Sequence, residues 1–418
     1  MTAATLSRNG TARTEPRERA RNDAYPLVKA YLLVILAAVV DVSNFLDRGN
    51  FVRYLLLLVP IGTLVVVRMR FPSMFVRTPT ASDVVLALVW VFGLIGAVYG
   101  AVFGGVHATM LPVFLPMSIA FLYLGTLDPL SEDELMSTLR ALAIIGSLYI
   151  CLNALVNAHL VPGLDDKQYR NASLLFMALG ISGTVVLRWW RWLAVLVLLE
   201  TFVFITYPSG TTVLVMCAIV VTFAMTAPRP YARIRPYVIG GASVVAILVL
   251  LVNFSAGVSV TSDYFSLVGK NNADSVRVEA WTQGVNEFTQ SPLYGNGFTD
   301  AVGAVVVHPG GRGEFQIPFH NDYVLFLAKG GLLGLGLLLA WILATEVTVL
   351  RRYVTLVAQE RYRRAALLRV LLVGYNVFFV TSAFNPSILG MSRAASLFAV
   401  YALMMLVSSD GRPGTVRT

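Results

Sequence analysis

Apolar runs of roughly 17–25 residues, each long enough to carry a helix across about 30 Å of hydrocarbon, recur from Pro26 to Ser408 with polar punctuation between them. Of the 418 residues 57% are hydrophobic and 13% charged, with a mean hydropathy of +0.72. A water-soluble fold could not cover that composition with polar surface. The runs predict an all-α polytopic membrane protein with about twelve transmembrane helices, at 27–46, 51–67, 83–104, 109–126, 137–156, 171–187, 192–207, 211–226, 236–254, 322–344, 365–383 and 388–407.

An even count puts both termini on one side, and the basic residues say which. Of the 32 Lys and Arg residues, all but Arg48, Arg53, Lys167, Arg170, Lys270, Arg277, Arg312, Lys329 and Arg393 fall on the side of the N-terminus. Short loops rich in Lys and Arg stay cytoplasmic. The net charge of +9 is thus an orientation signal with attraction to anionic lipid headgroups, and it calls for no nucleic acid. All four histidines, His107, His159, His308 and His320, fall on or near the opposite face. The groups that titrate near neutrality therefore share one side.

The expected organisation is a disordered cytoplasmic tail at 1–25, spans one to nine within 26–253, a large extracytoplasmic loop at 254–321, spans ten to twelve within 322–407 and a second cytoplasmic tail at 408–418. The first 25 residues lack an apolar core with a cleavage site, so the first span reads as an uncleaved anchor. Cys151 and Cys217 both fall in spans and offer neither a disulfide framework nor a thiolate metal site. The basic segment 351–369 reads as a helical extension lying against headgroups.

The loop before span ten is the place for chemistry, because a long connection in an otherwise tight fold is usually functional. Asp274-Ser275 offers a helix start, and Val276, Ala280, Trp281, Val285 and Phe288 recur at helical spacing up to Pro292. This is an amphipathic helix expected to rest on the membrane surface or on the bundle. Pro292-Leu-Tyr-Gly-Asn-Gly297 and Pro309-Gly-Gly-Arg-Gly313 are turn-forming stretches that allow close backbone approach. Arg277, in the first turn, suits an anion such as phosphate, or equally a pairing with Glu279 or a lipid headgroup. His320 stands where a helix N-terminus disfavours the imidazolium, as a general base requires, and is also placed to serve as an interfacial cap residue beside Asn321 and Asp322. Lys329 lies nine residues beyond His320, about 13 Å along a helix. With Asp41 and Glu200 it is an intramembrane charge, either functional or paired. Phosphate-loop, HExxH and GxSxG patterns are absent, and no outward Asp-x-Asp pair could hold a metal-bound nucleotide sugar.

The ordered set Arg277-Val-Glu-Ala-Trp281, Pro292–Gly297, His320-Asn321-Asp-Tyr323 and Gly330-Gly-Leu-Leu-Gly334 resembles the O-antigen ligase and polymerase superfamily of bacterial envelope enzymes. The resemblance covers about sixty residues, and Arg170-Asn171 is similar to the family's outer Arg before the sixth span. Two positions depart from the family: Ser209-Gly210-Thr211 lacks the Arg of its Ser-Arg-Gly turn, and Lys329 stands where many members carry an acid. The resemblance implies transfer of a glycan from a polyprenyl diphosphate such as undecaprenyl diphosphate to an acceptor hydroxyl on a glycan or glycolipid. It implies His320 as base, Arg277 and Arg170 as diphosphate clamp, and Asn321, Trp281 and Tyr323 as positioning residues. Arg312 and Arg393 are further diphosphate candidates without a matched family position. No metal or cofactor is implied, and the place is the outer side of a bacterial cytoplasmic membrane. Two other readings remain open at this point: a transporter or lipid-linked-glycan flippase using Asp41, Glu200 and Lys329, and a different polyprenyl-phosphate-dependent glycosyltransferase using Asp47.

Overall fold

The computed structural model describes residues 62, 65–70, 72, 79–103, 132, 136, 210–227, 233–255, 273–298, 302–307, 314–319, 321–383, 397, 400, 401, 403–405, 407 and 408. Their elements are α1 (Ala81–Phe103), α2 (Gly210–Met225), α3 (Arg235–Ser255), α4 (Ala273–Gln290), β1 (Val302–Val307), β2 (Glu314–Pro318), α5 (Asp322–Ala358) and α6 (Tyr362–Ser382). Among the described residues, α5, α6 and the Ala81–Tyr99 part of α1 are long and apolar enough to cross a membrane. The chain is thus a helical membrane protein in kind. The spans expected at 83–104, 211–226, 236–254 and 365–383 match α1, α2, α3 and α6 to within a helical turn. The expected spans before residue 79, those between 104 and 209, and most of the last lie outside the described residues.

Among the described residues α6 is the most buried of the three long apolar helices, with 78% of its apolar stretch buried against 28% for α5 and 33% for α1. α5 packs on α1, α4 and α6, while α6 packs on α2 and α2 on α3. Trp341 of α5 meets Tyr375 and Phe379 of α6 and Tyr401 edge to face. Beside them a small polar knot ties α1 to α5, Ser82 Oγ lying 2.6 Å from Thr345 Oγ1 and 2.9 Å from the Tyr401 hydroxyl. Near the other end of α6, Arg369 donates to Thr226 Oγ1 at 2.7 Å and to the Phe223 carbonyl at 3.1 Å. A cation there satisfies the Phe223 carbonyl at the end of α2, where carbonyls run out of partners within the helix.

Two features differ from expectation. The large loop holds a strand pair as well as a helix: β1 and β2 pair antiparallel from Val307↔Glu314 to Ala304↔Ile317, with a shift in register before Val302↔Pro318. The physical reason is local, since the Val-rich run 302–307 and Glu-Phe-Gln-Ile-Pro318 flank the Pro-Gly-rich 309–313, a hairpin pattern. The span expected at 322–344 and the start of the helical extension expected over 351–369 form one helix that runs to Ala358, 37 residues in all, about 55 Å at 1.5 Å per residue. It is not continuous. Gly331 sits inside it with φ 61° and ψ −160°, far from helical values.

Candidate active site at the loop end of α5

The break at Gly331 is the feature around which the loop is built. Interrupting a helix frees carbonyls before the break and amides after it, and burying these unpaired costs free energy. The turn-forming stretch that follows α4 takes them up. Asn296 N donates to the Ala328 carbonyl at 3.3 Å and Gly297 N to the Lys329 carbonyl at 2.8 Å. In return Leu332 N and Leu333 N donate to the carbonyls of Pro292 and Leu293 at 2.8 and 3.1 Å. The two backbones touch, which is why the contact is made of glycines. A Cβ on Gly331 would lie 2.5 Å from the Leu293 carbonyl carbon, and one on Gly295 would overlap the carbonyl of Lys329. Gly295 and Gly297 also hold positive φ, at 68° and 86°. Phe298 closes the turn, edge-on to Phe92 and Phe326 and against Gly96 and Gly330.

α4 lies along the first part of α5. It begins at Ala273, so Arg277 is its fifth residue rather than part of its first turn. On the side toward α5 Ala280 and Gly284 are buried, whereas Val285 of the expected apolar stripe is 47% exposed on the protein's exterior. The contact is one of close approach: a Cβ on Gly284 would fall 2.6 Å from Val324 and 2.7 Å from the Phe319 ring. Glu287, one turn further along that face, reaches Lys329 Nζ with its Oε2 at 2.9 Å. The Lys329 ammonium also stands 5.8 Å from the centre of the Phe319 ring.

The chain on both sides of position 320 is held. The indole Nε1 of Trp281 donates to the Phe319 carbonyl at 2.7 Å. Asn321 is the N-cap of α5, its Oδ1 accepting from Tyr323 N at 2.9 Å and Val324 N at 3.1 Å. Tyr323 turns the other way, its hydroxyl donating to the Phe379 carbonyl of α6 at 3.0 Å. So Trp281, Asn321 and Tyr323 all fall in one neighbourhood. His320, Arg170, Arg312 and Arg393 lie outside the described residues, as do Asp41, Asp47 and Glu200. Sequence reasoning missed Glu287 and the break at Gly331. The signal for the first was a carboxylate on the same helical face as Ala280 and Gly284. For the second it was the pair Gly330-Gly331 inside an apolar run.

Residues 193–339 match the family model described as O-antigen ligase. Over that segment the chain is similar to the O-antigen ligase family. The match spans α2, α3, the loop with α4 and the hairpin, and α5 up to Leu339, so the helix break and its docked turn fall inside it. A search of curated proteins finds no match. The similarity over that segment supports, at a coarse level, a membrane-bound glycosyl-transferring enzyme of polysaccharide biosynthesis with a lipid-linked glycan donor and an acceptor. Of the three charges that suggested a transporter, Lys329 lies among the described residues, and it pairs with Glu287.

Proposed function

We propose that this protein transfers a glycan from a polyprenyl diphosphate carrier, such as undecaprenyl diphosphate, to an acceptor hydroxyl at the outer side of a bacterial cytoplasmic membrane. The observation that carries the reading is that the family match encloses, in order, Arg277, Trp281, Pro292–Gly297 and His320-Asn321, with Trp281 and Asn321 fixing the chain on both sides of His320. In this mechanism the His320 imidazole accepts the proton of the acceptor hydroxyl as its oxygen attacks the anomeric carbon. The bond from that carbon to the diphosphate oxygen breaks, and the lipid diphosphate leaves with its electron pair. Arg277 and Arg170 hold the diphosphate and stabilise the charge that grows on it, the kind of preorganised electrostatic help that is largest in a site screened from water. Arg312 and Arg393 are lesser candidates for the same anion.

Several features support these roles. His320 directly precedes the N-cap of a long helix, where the dipole favours a neutral ring and so a competent base. Arg277 sits near the N-terminus of α4, the end of a helix that attracts anions. Diphosphate is already a good leaving group, so the chemistry asks for positioning more than activation.

The test is transfer by the purified protein from a polyprenyl-diphosphate glycan. His320→Ala and Arg277→Ala should each cut turnover by about 100-fold or more, since a positioned base contributes 10²–10⁴-fold, with the protein still folded in detergent. Retained turnover in both variants would sink the proposal. Products that lengthen without an added acceptor would identify a polymerase, and products made only with one would identify a ligase.

A further inference from the structure

Lys329 joins three parts of the loop to one residue of α5. Its ammonium meets Glu287 of α4 at 2.9 Å, its carbonyl accepts the amide of Gly297, and its charge lies over Phe319, the residue before His320. It is only 8% exposed. A lysine so enclosed has given up most of its hydration, and a carboxylate at contact distance is what makes that tolerable.

Its depth matters too. Arg351 and Arg352 follow the apolar stretch of α5, and the ~20 residues from there back to Gly331 cover about 30 Å, one hydrocarbon thickness. Lys329 thus stands at the loop-side boundary of the bilayer, beside the break, rather than at its centre.

We infer that the Glu287–Lys329 ion pair is a positioning device for the transfer reaction. Together with the backbone bonds of residues 292–297 to α5, it fixes how far along α5 the helix α4 sits, and with it the setting of Arg277, ten residues before Glu287, relative to His320, nine residues before Lys329. The inference rests on the catalytic reading of those two residues. The backbone bonds of residues 292–297 to α5 and the Trp281–Phe319 bond anchor the two ends of the contact between α4 and α5, and between them Gly284 brings the helices close without a direction of its own along their axes. An apolar contact of that kind tolerates sliding, whereas a charge pair specifies register. The reaction needs register, because a displacement of about 1 Å between reacting groups can cost on the order of 100-fold in rate. Arg277 would still bind the donor after such a slip, so the loss falls on turnover rather than on donor affinity.

The experiment compares Glu287→Gln, Lys329→Met and the exchanged pair E287K/K329E with the unaltered protein, using purified protein, a polyprenyl-diphosphate glycan and an acceptor. Each single change should lower kcat by about 10- to 100-fold with the donor KM within a factor of about three, and the exchanged pair should recover most of the loss. Glu287→Asp, which keeps charge and fold but withdraws the carboxylate by one methylene, should lower kcat by a smaller factor with the same unchanged KM. Turnover within twofold of the original in the single variants, an unaffected Glu287→Asp, or an exchanged pair no better than the worse single change would each overturn the inference. His320→Ala in the same assay separates the two levels. If it is inactive while residues 287 and 329 show no coupling, the positioning inference fails alone, and if it retains full turnover the catalytic reading fails first.

Discussion

α5 leaves helical geometry at two places, and the two are handled in opposite ways. At Gly331 the backbone takes φ 61° and ψ −160°, a region open essentially to glycine alone, and a segment from elsewhere in the chain supplies the missing hydrogen bonds. Past its other end, Glu360 holds φ 59° with a full side chain, and local bonds suffice: Glu360 N to the Val357 carbonyl at 3.1 Å and Arg361 N to the Leu356 carbonyl at 2.9 Å. The second is a helix end that needs only its own neighbours. The first couples a membrane helix to a distant loop, so a change there is felt by both.

The largest effect should therefore come from Gly331→Ala. The substitution adds a Cβ 2.5 Å from the Leu293 carbonyl carbon in a backbone conformation that alanine avoids. The combined strain and overlap should cost about 3 kcal/mol or more. In detergent the protein should unfold at a markedly lower temperature or fail to elute as a single folded species. A variant that folds and unfolds like the original would show that the turn 292–297 is not docked against α5, and the contrast between the two breaks would dissolve.

A smaller effect tests whether the loop end is held by directed bonds. Trp281→Phe keeps an aromatic ring but removes the indole N–H that donates to the Phe319 carbonyl. Losing one such bond costs about 1–2 kcal/mol where the acceptor is left in a partly buried place. Thermal unfolding should report that loss, and turnover should fall with it, since the bond restrains the residue before His320. Unchanged stability together with unchanged turnover would mean that Trp281 contributes packing alone.

How much of this was legible in the sequence follows from what each part depends on. The helices were readable because apolar length and spacing are local properties, and α2 and α3 appear at the expected residues. α4 was readable for the same reason, from the Asp274-Ser275 start to Pro292. Its contact with α5 was not, because the helix is pressed close through Gly284 rather than through its larger apolar side chains. The pairing of Glu287 with Lys329 joins residues 42 apart in sequence, and no spacing rule reaches that far. The motif Gly330-Gly-Leu-Leu-Gly334 could be seen, but its meaning could not. Gly331 permits the break, Gly330 admits Phe298, and Gly334 makes room for Phe92.

The smallest predicted effect carries the comparison to its other side. If Glu360 is only an ordinary helix end, its side chain is a slight liability, because the left-handed region costs a residue with a Cβ roughly 1–2 kcal/mol. Glu360→Gly removes that strain but gives the unfolded chain more freedom, a loss of about 0.4–1 kcal/mol. The balance should be a gain of about 0.5 kcal/mol, read as a slight rise in the unfolding temperature with no change in turnover. The sign is what matters. A glycine that stabilises at 360, set beside an alanine that disrupts at 331, would show that two similar φ values, one inside α5 and one just past its end, arise from different demands. A loss of stability at 360 would mean that the Glu360 side chain has a role of its own, and the two departures from helix would be more alike than their hydrogen bonds suggest.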